Sequence, residues 1–511
     1  MAFGTSIPSP TVTGGFSGGA LSVSDLNNIL TKFYIPRMFE QIKVENPGYN
    51  FFKDMTSLVN WGPGGTATFP LRKRARRAVV GGTAGRLPSG GTPSYSTASF
   101  EYPVFRILVN FMWDAQQRAG HERYVKNLID QSMTDAKTEF LRRQNIYLYG
   151  GSRDKLGKDA INYGSSTHSA VTDSFGKTCM VGVLKESSGS DTSIKVAHPW
   201  IDGAGTHKAQ GGMWLQPGDF IMIVGKDGSA DDMQHIEISS IDRSTYSSDG
   251  CATVTLANAC LMDFPSGSPI YLSSPAAATT GSPFSRTTAT AFGSADWELS
   301  DYASEYYGMA NFLYDQNVFG KARDTAGATG TCAEGVAGGG DGYWDSKIKH
   351  NSGVKRALSY ELIDELLLEM NQQYFVKPNL AIMNPGMWHE FLSLAEANHA
   401  FFNQKTVTPG HKPGTDPNYI TANATLGQGN IQILVDHHAP HEQIIVCDKG
   451  EMGYATAHAM GEATEDGGFL RHSSSSYDDW HGWLRWAGQF ITYSPTSIGL
   501  LQDVTQDIVA L

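Results

Sequence analysis

The stretch from Asp114 to Tyr149, DAQQRAGHERYVKNLIDQSMTDAKTEFLRRQNIYLY, carries the strongest secondary-structure signal in the sequence. Its apolar side chains recur every three or four positions, which is the spacing of one face of an α-helix. They are Val125, Leu128, Ile129, Met133, Ala136, Phe140 and Leu141. Glu122 and Lys126 add an i,i+4 pair of opposite charge. We predict a single helix of roughly 50 Å, closed by Gly150 and Gly151, which is too long for an ordinary domain helix.

Two strand-like segments precede this helix and enclose a glycine-rich loop. The first, TATFPLRKRARRAVV, begins at Thr66, and the second, YSTASFEYPVFRILVNFMW, begins at Tyr95. The loop between them contains GGTAGRLPSGG. Two strands around such a tip form a projecting hairpin, which is only marginally stable by itself. The pattern therefore predicts that contacts outside the hairpin hold it in place.

Five basic residues fall within six consecutive positions of the first segment, and a sixth follows in the loop. They are Arg72, Lys73, Arg74, Arg76, Arg77 and, in the loop, Arg86. Such clusters are typical of nucleic-acid patches, because closely spaced cations attract phosphate. The whole chain has a formal net charge of -12, however, whereas nucleic-acid-binding domains are usually basic. The partner of the cluster stays open at this point.

Composition is that of a folded protein, with 40% hydrophobic and 11% aromatic residues in 511. Length alone favours roughly two to four domains. The 56 glycines fall largely in clusters, which predicts many long loops of a kind that compact enzymes tend to avoid.

The first residues, MAFGTSIPSPTVTGGFSGG, lack the features of a secretory signal. The segment LSVSDLNNILTKFY, which begins at Leu21, predicts a first helix. We expect no membrane span, since no run of about 18 apolar residues occurs.

Short β-rich runs follow one another between about 172 and 275. They are TCMVGVL, TSIKVA, GDFIMIV, HIEISSI, ATVTL and PIYL, separated by turn clusters such as LQPGD and YSSDG. Regular short strands of this sort predict a small barrel or sandwich inserted as a unit.

Helical periodicity returns in the last third of the chain. SYELIDELLLEMNQQYF predicts a helix with Ser359 as N-cap, NLAIMN predicts a strand, and PGMWHEFLSLAEA predicts a second helix with Pro385 near its start. GNIQILVD and EQIIVCD are expected to be adjacent strands. WLRWAGQFITYSPTSIGLL predicts a final long strand with a break at Pro495.

The best metal candidate is the stretch DHHAPHE. Its possible ligands are Asp436, His437, His438, His441 and Glu442. Pro440 and the flanking apolar runs indicate a hairpin turn, and no second ligand cluster can be linked to it. Spacing alone is weak evidence for a metal, so we favour a solvated turn and predict no metal site.

Catalytic candidates are few. In YDDWHGWLRW, Asp478 and Asp479 stand beside Trp480, Trp483 and Trp486, as in a sugar platform with paired acids. Glycoside hydrolysis needs carboxylates that face each other about 5 to 9 Å apart, which strand neighbours do not provide, so the tryptophans are interpreted as core or interface.

The glycine-rich stretch GGTAGR lacks the ending of a phosphate-binding loop. The five scattered cysteines are expected to be buried apolar residues: Cys179, Cys251, Cys260, Cys332 and Cys447. We predict no catalytic or cofactor-binding residue.

The order of these segments resembles that of the major capsid protein of tailed bacteriophages, whose fold is shared with encapsulins and the floor of herpesvirus capsids. The resemblance rests on the segment order and on the stretch from Ala67 to Gly150. It implies an α+β capsid fold with the following parts. They are an N-terminal arm and short helix at 1–60, an extended hairpin loop at 61–112, a spine helix and peripheral domain at 113–171, an inserted β-rich domain at 172–275, a peripheral continuation at 276–354, an axial domain at 355–475 and a return strand at 476–511.

The resemblance also implies a function. The chain would be a structural, non-enzymatic protein without a cofactor that assembles into hexamers and pentamers of an icosahedral virion shell, in the host cytoplasm and away from membranes. A separate scaffolding protein, a portal and a decoration protein are the implied partners, with packaged double-stranded DNA touching the inner face without sequence specificity. The alternatives are an encapsulin-like compartment, a nucleic-acid-binding protein that uses residues 72–77, and a glycan-acting enzyme centred on Asp478.

Within this interpretation the basic cluster is better explained by an acidic surface on a neighbouring copy than by phosphate. The segment ADWELSDYASE offers such a surface. Its acidic residues are Asp296, Glu298, Asp301 and Glu305. We predict that the hairpin and this segment form a contact between subunits, and that the glycine-rich tip lets the hairpin follow a shell that changes shape.

Overall fold

The structure is a computed structural model. The described residues are 47–55, 57, 59–62, 66–74, 94–112, 122–151, 179–188, 191–199, 211–224, 233–244, 250–260, 264, 266–273, 306–315, 317–319, 321–322, 346–351, 354–374, 376–397, 420–426, 429–462, 470–472 and 479–506. The helix predicted from Leu21 and the tip of the predicted hairpin lie outside these ranges.

Five α-helices are described. They are α1 Pro47–Phe51, α2 Glu122–Leu148, α3 Met309–Tyr314, α4 Tyr360–Tyr374 and α5 Pro385–Ala397. Helix α2 confirms the long amphipathic helix over 27 residues, or about 40 Å, while 113–121 lie outside the described residues. Ser359 caps α4 as predicted, because its Oγ accepts the N–H of Leu362 at 3.3 Å. Pro385 is the first residue of α5, where its missing N–H leaves no unmade hydrogen bond.

Six short strands close into a barrel, which confirms the small barrel or sandwich predicted from the β-rich runs. The strands are β6 Gly182–Leu184, β7 Ser193–Ala197, β8 Phe220–Val224, β9 Met233–Asp242, β10 Ala252–Leu256 and β11 Pro269–Leu272. Along β10 the side chains alternate between buried and half-buried, as expected when one face of a strand lines a core. The boundaries 172–275 of an inserted domain stay a prediction.

The predicted hairpin divides into two sheets. Strands β2 Asn60–Trp61, β3 Thr66–Arg74 and β4 Ser94–Glu101 form a three-stranded sheet, in which β3 and β4 pair antiparallel. The second predicted arm does not continue as one strand, because Pro103 has no N–H to extend the ladder. Beyond it β5 Val104–Met112 pairs instead with a strand near the other end of the chain.

That partner is β21 Asp479–Thr492, the centre of a five-stranded sheet. The other strands of this sheet are β1 Lys53–Asp54, β19 Met452–Glu462 and β20 Leu470–His472. The register of β5 and β21 runs from Val104 opposite Ala487 to Met112 opposite Asp479. A small two-stranded sheet, β12 Asn317–Val318 with β13 Lys321–Ala322, lies elsewhere in the chain.

A six-stranded sheet forms the remaining layer. In spatial order its strands are β14 Lys347–Lys349, β22 Ile498–Leu501, β18 Ile444–Cys447, β15 Leu380–Met383, β17 Gly429–Val435 and β16 Ile420–Leu426. The expectation that β17 and β18 are adjacent is wrong, since β15 lies between them, parallel to β17 and antiparallel to β18. The wholly buried LAIM of β15 takes a central position because central strands are covered on both faces.

The predicted break at Pro495 is confirmed as a 3-10 turn at Pro495–Ser497. The segments on either side enter different sheets, however, β21 the five-stranded one and β22 the six-stranded one. Strands β14 and β22 both lie outside the range 355–475 predicted for the axial domain, and the domain boundaries themselves stay predictions.

Two apolar cores hold these layers together. One lies between the six-stranded sheet and helices α4 and α5, with Leu366 and Met370 from α4 and Phe391 from α5. The larger core joins the barrel, the end of α2 and the five-stranded sheet. Among the described residues, no helix combines the length and the apolar character needed to cross a membrane.

Candidate functional site

Residues 436–442, here called the hub turn, connect β17 to β18 and carry the predicted metal candidate. Every residue of the hub turn except His437 is buried, so the expectation of a solvated turn is wrong. It is not a hairpin turn either, because β15 separates the strands that it joins. The hub turn contacts the end of α2, the barrel and both ends of the described chain.

Asp436 is the centre of the hub turn and is fully buried. Its carboxylate accepts hydrogen bonds from the backbone N–H of Gly48 at 3.0 Å, the Tyr149 hydroxyl at 3.0 Å and the His438 N–H at 2.9 Å. The amide nitrogen of Asn145 adds a fourth donor at 3.1 Å. Burial alone would raise the pKa of Asp436, but its hydrogen bonds and the neighbouring histidines lower that pKa below the ordinary value. The carboxylate therefore joins α1, α2 and the hub turn as an ion.

Asn145 fixes the geometry around His438. Its Oδ1 accepts the backbone N–H of Tyr49 at 2.8 Å, so its NH₂ group must point the other way, towards Asp436 and His438. The distance from Asn145 Nδ2 to His438 Nδ1 is 2.7 Å. The carboxylate of Asp436 and the rings of His437 and His438 lie within 4.8 Å of one another, but the amide nitrogen stands between Asp436 and His438. We therefore describe a hydrogen-bond network here and assign no metal ligand.

The barrel reaches the same place through the segment 211–219. Arg142 of α2 is 2% exposed and contacts both carboxylate oxygens of Asp219, at 2.9 and 2.7 Å. The same guanidinium donates to the carbonyl of Trp214 at 2.9 Å, and the indole N–H of Trp214 donates to the carbonyl of His438 at 3.0 Å. His198 packs against this indole with ring centres 5.1 Å apart. The barrel is thus joined by charge and by hydrogen bonds to both α2 and the hub turn.

The C-terminal segment is attached to the hub turn as well. Gln506 lies with Nε2 3.2 Å from Nδ1 of His441, and its Oε1 accepts the N–H of Glu442 at 3.3 Å. The carbonyl of Glu442 accepts the N–H of Val504 at 3.3 Å. The buried carboxylate of Glu442 forms an ion pair with Lys355. The hub turn thus connects α1, α2, the barrel, the segment before α4 and the end of the chain.

Aromatic rings connect α2 to the long β5–β21 pair. The ring of Phe105 on β5 lies 5.9 Å from Phe140 of α2 and 5.5 Å from Trp486 of β21, and Phe140 and Trp486 are 5.5 Å apart. Trp486 is buried, which confirms its interpretation as a core residue. Asp478 lies outside the described residues, and Asp479, Trp480 and Trp483 are placed only as positions on β21.

The predicted contact residues are described only in part. Arg72, Lys73 and Arg74 lie at the end of β3, where the pairing with β4 shifts register between Arg72 and Arg74. Arg76, Arg77, Arg86, Asp296, Glu298, Asp301 and Glu305 lie outside the described residues. The contact between subunits therefore stays a prediction. Cys179, Cys251, Cys260 and Cys447 are buried as expected, and Cys332 is not among the described residues.

Comparison with known proteins gives matches of structure alone. No family model and no curated protein matches the sequence. The chain is similar to solved phage capsid structures. The cyanophage A-1(L) capsid asymmetric unit is 11% identical, with a TM-score of 0.42, over 92% of this chain and 96% of the other. The capsid of a native GTA particle is 9% identical, with a TM-score of 0.39, over 92% of this chain and 96% of the other.

A shorter match is the SrpI encapsulin of Synechococcus elongatus, which is 12% identical with a TM-score of 0.20. It covers 32% of this chain and 54% of the encapsulin chain.

Sequence reasoning missed the residues that build the hub. Arg142 and Asn145 are three residues apart and so lie on one face of α2 near its end, and Tyr149 follows directly after the helix at the same spacing. A polar stripe at this spacing, inside a segment with a strong apolar face, was the available signal. Asp219, the partner of Arg142, and Gln506, the partner of His441, carry no comparable signal, because they are brought close only by the fold.

Proposed function

We propose that this chain is a structural capsid protein that self-assembles into the icosahedral shell of a tailed bacteriophage around double-stranded DNA. The observation that carries the proposal is the pairing of β5 with β21. A strand leaving the hairpin and a strand arriving from near the end of the chain run side by side for nine residues, next to a 27-residue helix. This arrangement fastens two long elements, the β5–β21 pair and α2, to each other.

Burial along α2 supports this interpretation. The described side chains from Phe140 onward are mostly buried, whereas Thr134, Asp135 and Lys137 are exposed. The exposed surface around Thr134, Asp135 and Lys137 is available to a neighbouring subunit. In the hairpin, Phe69 and Phe100 are buried.

Many copies make weak contacts sufficient. An exposed ion pair contributes only about 0 to 1 kcal/mol, but in a closed shell each contact recurs at every subunit. Contacts of this strength also remain reversible during assembly. The barrel, held to α2 and the hub turn, would then be carried as a fixed part of each subunit.

The partners follow from this role as further proposals. Copies of the chain would form the hexamers and pentamers of the shell. A separate scaffolding protein would guide assembly in the host cytoplasm, a portal would occupy one vertex, and a decoration protein is a further candidate partner. The inner face would meet packaged DNA without reading its sequence. The role is structural, and we propose no catalytic activity.

Electron microscopy of the purified full-length protein tests the proposal. We expect closed shells of uniform diameter, with or without an added scaffolding protein. Dispersed, cooperatively folded subunits that never form shells at high concentration, even with the scaffolding protein from the same genome, would contradict it. Salt-dependent DNA binding by those dispersed subunits would favour the nucleic-acid-binding alternative. Shells that fill with a protein cargo and never with DNA would favour the encapsulin-like one.

A further inference from the structure

Two histidines of the hub turn each face the NH₂ group of a side-chain amide. Nδ1 of His441 lies 3.2 Å from Nε2 of Gln506. Nδ1 of His438 lies 2.7 Å from Nδ2 of Asn145. One amide belongs to the C-terminal segment, and the other binds the N-terminal segment at Tyr49. Both ends of the described chain are therefore attached to the hub turn through a contact between an amide and an imidazole.

Backbone donors fix the orientation of both amides. The N–H of Glu442 donates to Oε1 of Gln506 at 3.3 Å, and the N–H of Tyr49 donates to Oδ1 of Asn145 at 2.8 Å. If either amide were rotated by half a turn, its NH₂ group would face a backbone donor. Because an amide nitrogen only donates, Nδ1 of each imidazole must be the acceptor. His441 therefore carries its single proton on Nε2 and is neutral in the folded protein.

A second proton would have to enter at Nδ1, the atom that now accepts from the amide. Two donors would then face each other, and the contact would be lost. His441 has no alternative, since it is 6% exposed and its Nε2 is buried without a hydrogen-bond partner among the described residues. Burial lowers the pKa of His441 to about 4; the carboxylate of Glu442 acts in the opposite direction, and so would Gln506 if its side-chain oxygen faced the ring.

The charged and titratable neighbours of each ring come from several elements. His441 is faced by Glu442 of the hub turn, which is paired with Lys355, and by His198 of the barrel side. His438 is faced by Asp436 and His437 of the hub turn.

On the α2 side, the hydroxyl of Tyr149 donates to Asp436 and so reaches the surroundings of His438 only through that carboxylate.

We propose that the hub turn is a proton-sensitive latch, in which proton uptake by His441 releases the C-terminal segment 503–506. The latch is closed while the imidazole of His441 is neutral, and the free energy needed to open it falls as the pH drops below about 6.5, the ordinary pKa of a histidine in an opened chain. It is a property of the single subunit and does not depend on shell formation.

Hydrogen–deuterium exchange of the full-length dispersed subunit between pH 7.5 and 4.5 tests the latch, after correction for the intrinsic effect of pH on exchange. The amide of Val504, bound to Glu442, reports on the C-terminal segment, and that of Tyr49, bound to Asn145, serves as an internal reference. We expect protection of Val504 to fall by up to about tenfold per pH unit below 6.5. His389→Gln, at an exposed position of α5, is the control and should follow the wild type.

Gln506→Glu is the decisive variant. Its carboxylate can still accept the N–H of Glu442, and it can also accept a proton from a charged His441. Protection at Val504 should then stay constant or rise on acidification, while protection at Tyr49 behaves as in the wild type. If the variant does not fold by circular dichroism, His441→Gln replaces it and should make the Val504 profile flat. Wild-type protection that is independent of pH, or a variant profile identical to that of the wild type, would overturn the latch.

Discussion

The guanidinium of Arg142 on α2 and the carboxylate of Asp219 beside the barrel form a two-point ion pair buried in the protein, with N–O distances of 2.9 and 2.7 Å. The two residues are 77 positions apart in sequence. Because a buried charge without a partner is costly, this pair makes the orientation of the barrel on α2 specific.

Arg142→Met tests that coupling. The substitution leaves Asp219 buried without its partner, so we expect the free energy of unfolding to fall by about 3 to 5 kcal/mol. The double variant Arg142→Met with Asp219→Leu should recover much of this loss, since no charge is then buried alone. Urea unfolding followed by circular dichroism measures both effects.

The control for this pair is Lys195→Met, which removes an exposed ion pair with Glu186 and should cost about 0 to 1 kcal/mol. A loss of the same size for Arg142→Met would mean that the buried pair does not hold the barrel.

Gly48→Ala tests the close approach of the N-terminal segment to the hub turn. A Cβ at this position would lie 2.7 Å from Oδ2 of Asp436, 2.8 Å from Oδ1 of Asn145 and 2.9 Å from Leu148. All three atoms belong to well-buried side chains, so we expect a loss of about 1 to 3 kcal/mol. Thermal unfolding measures it.

Gly450→Ala is the matched control for this prediction. That glycine lies in an exposed turn, where the nearest atom to a new Cβ is the end of the Asp448 side chain at 3.2 Å. Equal transition temperatures for the two variants would show that the backbone at Gly48 can move away from the hub turn at no cost.

His198 provides a prediction of pH dependence. Burial, with a smaller contribution from His441, lowers the pKa of His198 to about 3, against about 6.5 for an unfolded chain. Between these values the unfolded state binds a proton that the folded state does not. The contribution of His198 to the free energy of unfolding should therefore be complete above pH 6.5 and fall by about 1.4 kcal/mol per pH unit as the pH decreases towards 3.

The variant His198→Gln should lower that slope by the contribution of one group, as measured from urea unfolding between pH 7 and 4. His458→Gln, at an exposed position of β19, should leave the slope unchanged. A slope for His198→Gln equal to that of the wild type would rule out a neutral buried imidazole at this position.

Charge reversal in the basic cluster tests the predicted contact between subunits. Arg74→Glu with Arg76→Glu should block shell formation and leave the subunit folded, because the cluster is expected to face an acidic surface of a neighbouring copy. Electron microscopy and circular dichroism read the two results separately. The pair Lys377→Glu and Lys449→Glu changes the net charge equally at exposed positions elsewhere and should still assemble. Normal shells from the variant Arg74→Glu with Arg76→Glu would show that the basic cluster forms no contact that assembly needs.

Much of the local structure was predictable from the sequence. Apolar spacing located α2 and α4, Ser359 and Pro385 marked the beginnings of α4 and α5, and short β-rich runs between turns indicated a barrel. These features depend on neighbours a few residues away along the chain, so the sequence pattern contains them. The segment order also led to the resemblance with phage capsid proteins.

Pairing between distant segments was not predictable in the same way. The sequence indicated β17 and β18 as strands but not that β15 lies between them, and it indicated a strand at β5 without its partner β21. Strands of similar composition can pair in many orders. The choice depends on which faces the helices and the barrel cover.

The sequence by itself determined the helices, the short strands and the break at Pro495, because backbone propensity and side-chain periodicity act locally. Only the tertiary structure decided that DHHAPHE is a buried hub and not a solvated turn. Burial and protonation state are set by the groups that pack around a residue. For Asp436, His438 and His441 those groups come from segments up to 388 positions away.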